Sequence, residues 1–161
     1  MSTAIGEYYL FPSTLFAETL PHQVKTILGS CVAVCLFDQV LHHGGINHYM
    51  LPWWNGNGMP SPKYGDIAIE RLIEKMIFLG SKKGNLVAKI FGGANQLTYG
   101  KLEDTVGERN IVTAEKMLSE HGIRIIGRNT GGEIGRQIIF HTQTNQVFMK
   151  YLQSTELKRA I

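Results

Sequence analysis

The sequence predicts an α/β fold of the mixed α+β type, a layered sandwich of mixed β-sheets with flanking helices, and three observations predict it. About seven or eight short runs of β-branched and aliphatic residues are separated by turn formers. Two longer stretches instead repeat their apolar residues at helical spacing, so helices flank a mainly β framework. No repeat, low-complexity tract or linker divides the 161 residues, a length that suits one domain, 1–161, with 152–161 as a flexible tail.

Residues 8–11 and 24–28 read as short strands. The run Val32-Ala33-Val34-Cys35-Leu36-Phe37 suits a buried strand, and 44–51 gives another. Residues 53–62 are dense in Gly, Asn and Pro and form a surface loop, a candidate lid. Asp66 is expected to cap a helix whose Ile69, Leu72, Ile73, Met76 and Ile77 line one face and which stops at Gly80. Residues 85–91 form a strand ending at Gly92-Gly93. A second helix covers 108–121, with Ile111, Ala114 and Leu118 on its apolar face and Gly122 as its stop. A strand at 123–127, a turn at 130–132 and a hairpin of 136–141 with 146–152 complete the chain.

Sixteen Lys and Arg against 13 Asp and Glu leave a net charge of only +3, and the basic residues are scattered. A nucleic-acid binder would concentrate them on one face, so nucleic acid is not an expected partner. The start of the chain lacks a basic segment followed by an apolar one, and apolar stretches fall short of the ~20 residues a membrane span needs. A soluble, cytoplasmic protein without membrane insertion is expected, where two cysteines are more often buried, catalytic or metal-bound than bridged.

Cys31 follows a Gly29-Ser30 turn, and His48 lies 17 residues on in Gly45-Ile46-Asn47-His48-Tyr49-Met50-Leu51-Pro52. A thiol at a tight turn can act as a nucleophile, and an imidazole can take its proton and later protonate a leaving group. Two bland readings compete: Cys31 as a small buried hydrophobe, and His48, alternating with Ile46 and Met50, as a hydrogen-bonded core residue. Gly29 would supply positive φ or a close backbone approach, and amides around the turn could steady an oxyanion. Cys35 would stand ~13 Å from Cys31 along a strand, too far for a disulfide, and is assigned to the core. His42 and His43 sit in a turn and are expected to be solvated. Paired ligands at regular spacing are missing, so no metal site is assigned. The glycine pairs at 92–93 and 131–132 match neither a dinucleotide nor a phosphate-loop fingerprint.

Together these segments resemble the CheD family of chemoreceptor glutamine deamidases. The resemblance runs from about Gly6 to Leu152 and rests on Gly6-Glu7-Tyr8, Leu28-Gly29-Ser30-Cys31-Val32-Ala33-Val34, Gly45 to Pro52, Tyr64-Gly65-Asp66, Ala88-Lys89-Ile90-Phe91-Gly92-Gly93-Ala94, Gly107-Glu108-Arg109-Asn110, and Gly131-Gly132 with Gly135-Arg136. It implies a layered fold similar to toxin-type cysteine deamidases and hydrolysis of glutamine side chains in methyl-accepting chemotaxis receptors. The family's nucleophile falls on Cys31, its histidine on His48 and its threonine on Thr26. Gly29, Ser30 and Asn47 are the candidates for oxyanion or substrate positioning. No cofactor and no metal are implied, and a CheC-type phosphatase is a candidate second partner. One position departs from the family: Asn129 stands where an acidic residue usually precedes the Gly-Gly pair.

Two further readings remain beside hydrolytic deamidation. The chain could be a non-catalytic binding module that regulates a CheC-type phosphatase or a receptor, or a transglutaminase in which an amine replaces water.

Overall fold

The computed structural model describes residues 4–96, 100–153 and 158–161. Among the described residues, two five-stranded sheets and two α-helices form three layers. Strands β1 (Gly6–Tyr9), β2 (Thr14–Glu18), β3 (His22–Leu28), β4 (Val32–Asp38) and β5 (Gly44–His48) precede helix α1 (Gly65–Phe78). Strand β6 (Leu86–Gly92), helix α2 (Val106–Glu120) and strands β7 (Arg124–Thr130), β8 (Arg136–His141), β9 (Val147–Tyr151) and β10 (Lys158–Arg159) follow. The first sheet has the order β1-β3-β8-β9-β10 and the second β2-β5-β4-β6-β7. Both are mixed: β1–β3 and β6–β7 are parallel, and the other pairs are antiparallel.

Every residue of β4 is buried because the strand lies in the middle layer. Val32, Val34 and Leu36 point to the helices, joining Leu72, Met76, Ala114 and Leu118, whereas Ala33 and Cys35 point to the first sheet, joining Val24, Leu28, Ile138 and Phe140. Apolar residues at consecutive positions are what a strand covered on both faces requires. In β3 buried residues alternate with exposed ones, since only one face of the first sheet is covered.

Several expectations change. Strand β2 is additional to the expected strands: it is a sheet edge on which only Ala17 is fully buried, and its apolar run is limited to Leu15-Phe16-Ala17. Asp66 is not the cap of α1; Tyr64 holds that position, and the Asp66 carboxylate accepts the Trp54 amide at 3.0 Å. Helix α2 starts at Val106 because Thr105 caps it, accepting the Glu108 amide at 3.3 Å. His43 is buried, not solvated, with Nε2 at 3.2 Å from Ser81 Oγ; His42 is exposed with φ of 57°. Lys158 and Arg159, within the expected tail, pair with Met149 and Phe148 of β9; residues 154–157 lie outside the described residues. Among the described residues, no helix is long and apolar enough to cross a membrane.

Candidate active site

The thiol and the imidazole come from neighbouring strands of the middle layer. Val32 and Tyr49 exchange both backbone hydrogen bonds, at 3.1 and 3.0 Å, and Cys35 pairs with Ile46 further along. That register sets Cys31 opposite Met50 and His48 opposite Ala33, so Cys31 and His48 form a diagonal pair on one face, a separation of roughly 7 Å between Cα atoms that side chains can close. The face is the one turned to the first sheet, since Ala33, Cys35 and Ile46 lie in the core between the sheets and Cys31 packs against its edge.

Strand β3 of the first sheet supplies the third group. Thr26, fully buried, places Oγ1 at 2.7 Å from His48 Nδ1 and donates to the Leu10 carbonyl at 2.8 Å. A hydroxyl has one proton, and Leu10 takes it, so Oγ1 accepts from Nδ1–H. The imidazole therefore carries its proton on Nδ1 and its lone pair on Nε2, and Nε2 has no hydrogen-bond partner among the described residues. Burial lowers the His48 pKa to about 4, which keeps the ring neutral. Burial also raises the Cys31 thiol, an effect its own backbone amide partly offsets. Burial thus favours the neutral form of both groups.

The His48 shift has a measurable consequence for stability. The unfolded chain binds a proton near pH 6.5 and the folded one only near pH 4, so this stability is complete above pH 6.5 and is lost as pH falls towards 4. Urea unfolding at pH 7 and pH 4.5 should show a loss of roughly 2–3 kcal/mol in the wild type that His48→Gln does not share. An equal loss in both proteins would assign it to other groups.

The Gly29-Ser30-Cys31 segment is held by its carbonyls. Ala94 N–H donates to Gly29 at 2.9 Å, Asn110 Nδ2 to Ser30 at 3.0 Å, and Gly93 N–H to Cys31 at 2.9 Å. Carbonyl and amide of one trans peptide point in opposite directions, so these bonds turn the Ser30 and Cys31 amides to the other side. Gly29 itself is not in a left-handed conformation, and a methyl group there would meet nothing within 4 Å, contrary to the reason expected for a glycine. The conformational demand falls on Gly92, with φ of 104°, where a Cβ would overlap the Cys31 carbonyl oxygen. A cleft of about 260 Å³ runs beside Gly29 and Ser30, with Asn95, Glu133 and Leu152 in its walls. A second cleft, of about 280 Å³ and lined by Glu7, Tyr9, Lys25 and Ile139, contains none of these site residues.

Asn47 stands on the opposite face of β5 from His48. Its Oδ1 accepts the Val34 amide at 2.9 Å, taking the place of a ladder bond, so its side chain spaces the strands and does not reach towards Cys31. Cys35 is fully buried in the core, and burial pushes its thiol up. Asn129 receives the buried Arg136 guanidinium on its side-chain oxygen and, at 2.8 Å, on its backbone carbonyl. A neutral amide thus serves where the resemblance expects an acid. In the sequence Asn110 is one residue of the Gly107-Glu108-Arg109-Asn110 motif; its side-chain contacts depend on where α2 lands, which no local pattern encodes.

A thiol, a neutral imidazole on the same strand face and a hydroxyl bonded to the ring are the groups that cysteine-dependent acyl transfer employs. Residues 50–151 match the family model described as CheD chemotactic sensory transduction. Similar proteins include the probable chemoreceptor glutamine deamidases CheD of Trichlorobacter lovleyi, 47% identical with 90% of each chain covered, and Sulfurimonas denitrificans, 45% identical over 92% of this chain and 96% of the relative. That of Rhodospirillum rubrum is 42% identical over 96% of this chain and 87% of the relative. The chain belongs to the CheD family.

Proposed function

We propose that this chain hydrolyses glutamine side chains of chemoreceptors to glutamate through a thioester on Cys31. The observation that carries this reading is the Thr26–His48 hydrogen bond, which leaves Nε2 as a base on the strand face that also holds Cys31. Cys31 Sγ attacks the carboxamide carbon while its proton passes to His48 Nε2. The Ser30 and Cys31 amides steady the oxyanion, and Nε2–H protonates the nitrogen as ammonia leaves. Water then attacks the thioester carbonyl and gives a proton to Nε2. The carbon–sulfur bond breaks, releasing glutamate, and Nε2–H returns the proton to sulfur. No step calls for a metal or an organic cofactor.

The reading places the chain in the cytoplasm, on the cytoplasmic helices of methyl-accepting chemotaxis receptors, with a CheC-type phosphatase as a second partner. Each turnover replaces a neutral amide by a carboxylate, a local change of charge on the receptor. An engaged Thr26–His48 pair speaks against a binding module with a vestigial cysteine. The test is incubation with a receptor cytoplasmic fragment, where each deamidated glutamine adds about 1 Da through the Cys31 thioester. Absence of any gain on cognate receptors would end the proposal.

Thr26→Val keeps the shape of the side chain and removes the acceptor for Nδ1–H. Turnover should fall about 10- to 100-fold, at or below the lower limit of what general acid–base catalysis contributes because the base itself remains, with KM little changed. Unchanged turnover would show that the hydroxyl does not orient the ring.

A further inference from the structure

We infer that Asn110 is a positioning residue of this reaction: its side-chain amide ties the cysteine segment to the histidine segment where their ladder ends, and aims the Cys31 amide at the forming oxyanion. The inference rests on the site proposed above. Continuing the register past the Val32–Tyr49 bridge, the next ladder bond would run from Leu51 N–H to the Ser30 carbonyl. It is not made, because Leu51 N–H donates to Lys63 at 3.1 Å. The chains part, and Asn110 Nδ2 enters between them, donating to Ser30 O and Met50 O at 3.0 Å each.

Both acceptors are carbonyls, so only the NH₂ end of the amide can face them. Asn110 Oδ1 is buried without a partner among the described residues, so the side chain gives up one hydrogen bond to place two donors. The residue is itself fixed. It is fully buried on α2, and its backbone carbonyl accepts Tyr49 Oη at 2.6 Å, next to His48. The start of the helix is held as well, with Gly107 N–H donating to Asn95 Oδ1 at 3.1 Å and leaving no room for a Cβ beside the Gly93 and Ala94 carbonyls. Those are the residues whose amides hold Gly29 and Cys31.

Because the Ser30 carbonyl and the Cys31 amide belong to one peptide plane, the Asn110 bond sets the direction of that amide. The same bond pair fixes how far Cys31 stands from the chain bearing His48. A shift of about 1 Å in such geometry can cost about 100-fold in rate.

The experiment compares wild type, Asn110→Asp, Asn110→Leu and Cys31→Ala on a receptor cytoplasmic fragment, with circular dichroism and urea midpoints on each. Both Asn110 variants should lose about 10- to 100-fold in kcat with KM within about twofold. Their pH profile of Cys31 alkylation by iodoacetamide, read by peptide mapping, should move to higher pH as the Cys31 amide turns away from the sulfur. Wild-type kcat in a folded Asn110 variant would overturn the inference, as would a loss that only tracks the folded fraction while the alkylation profile stays put. Should both variants unfold, Tyr49→Phe, which frees the Asn110 backbone, carries the test, and an unchanged kcat and alkylation profile would overturn the inference. Deamidation by Cys31→Ala would overturn the site reading with it; a dead Cys31→Ala beside fully active Asn110 variants would overturn this inference alone.

Discussion

Cys31→Ala should reduce deamidation of a receptor fragment to background while leaving the fold intact. Removing a nucleophile that acts as a unit with its base costs on the order of 10⁴- to 10⁶-fold, because what remains is only binding and oxyanion stabilisation. The fold should tolerate the change: Cys31 is only half-buried at the rim of the inter-sheet core, and the loop around it is held through backbone carbonyls that alanine retains. The readout is the gain of about 1 Da per glutamine expected of a Cys31-dependent hydrolysis, accompanied by urea unfolding. Wild-type modification by the variant would remove the cysteine from the mechanism. Cys35→Ala is the matching control, since Cys35 is sealed in the core and its loss should cost stability rather than chemistry.

Gly92→Ala should be the most damaging single methyl group in the molecule. Gly92 has φ of 104°, outside the range L-residues adopt comfortably, and an added Cβ would overlap the Cys31 carbonyl oxygen and crowd Leu28 Cβ at 3.3 Å. The neighbours are backbone or buried side chain and cannot swing aside. Strain of about 1–3 kcal/mol for the backbone alone, with the overlap added, removes much of a typical folding stability of about 5–15 kcal/mol. The urea midpoint should fall sharply, and any protein still folded should deamidate slowly because the Cys31 carbonyl has been pushed out of place. Gly29→Ala, where a Cβ meets nothing within 4 Å, should shift the midpoint little. A larger effect at Gly29 than at Gly92 would contradict this account.

The middle of the fold was readable in the chain because burial on both faces of β4 writes an uninterrupted apolar run, and because α1 and α2 carry their apolar residues at helical spacing. The β8–β9 hairpin was readable for the same local reason. Strand β2 and the allocation of strands between the two sheets were not: an edge strand buries too little to leave a pattern, and which strands pair is decided by contacts far apart in sequence. At the site, Cys31, His48 and Thr26 were reached through motifs, and the structure brings Thr26 to His48 across 22 positions. The turn at Gly29 suggests a tight backbone approach there, but the tight approach belongs to Gly92 on the neighbouring strand. Asn47 could be read as a polar residue near the histidine, but its face is set by strand alternation and its partner is Val34.

The first sheet joins the two ends of the chain, with β3 hydrogen-bonded to β8 from Gln23 opposite His141 to Leu28 opposite Arg136. During synthesis Thr26, Cys31 and His48 all leave the ribosome long before β8 exists. At about 5–20 residues per second that interval is on the order of ten seconds. Throughout it Val24 and Leu28 lack the cover of Ile138 and Phe140, so β3 waits as an open, apolar strand that chaperones or wrong partners can engage. Closing so long a loop is a slow step of folding. A chain that ends before β8 therefore carries Thr26, Cys31 and His48 but lacks the strand that pairs with β3 and covers Val24 and Leu28.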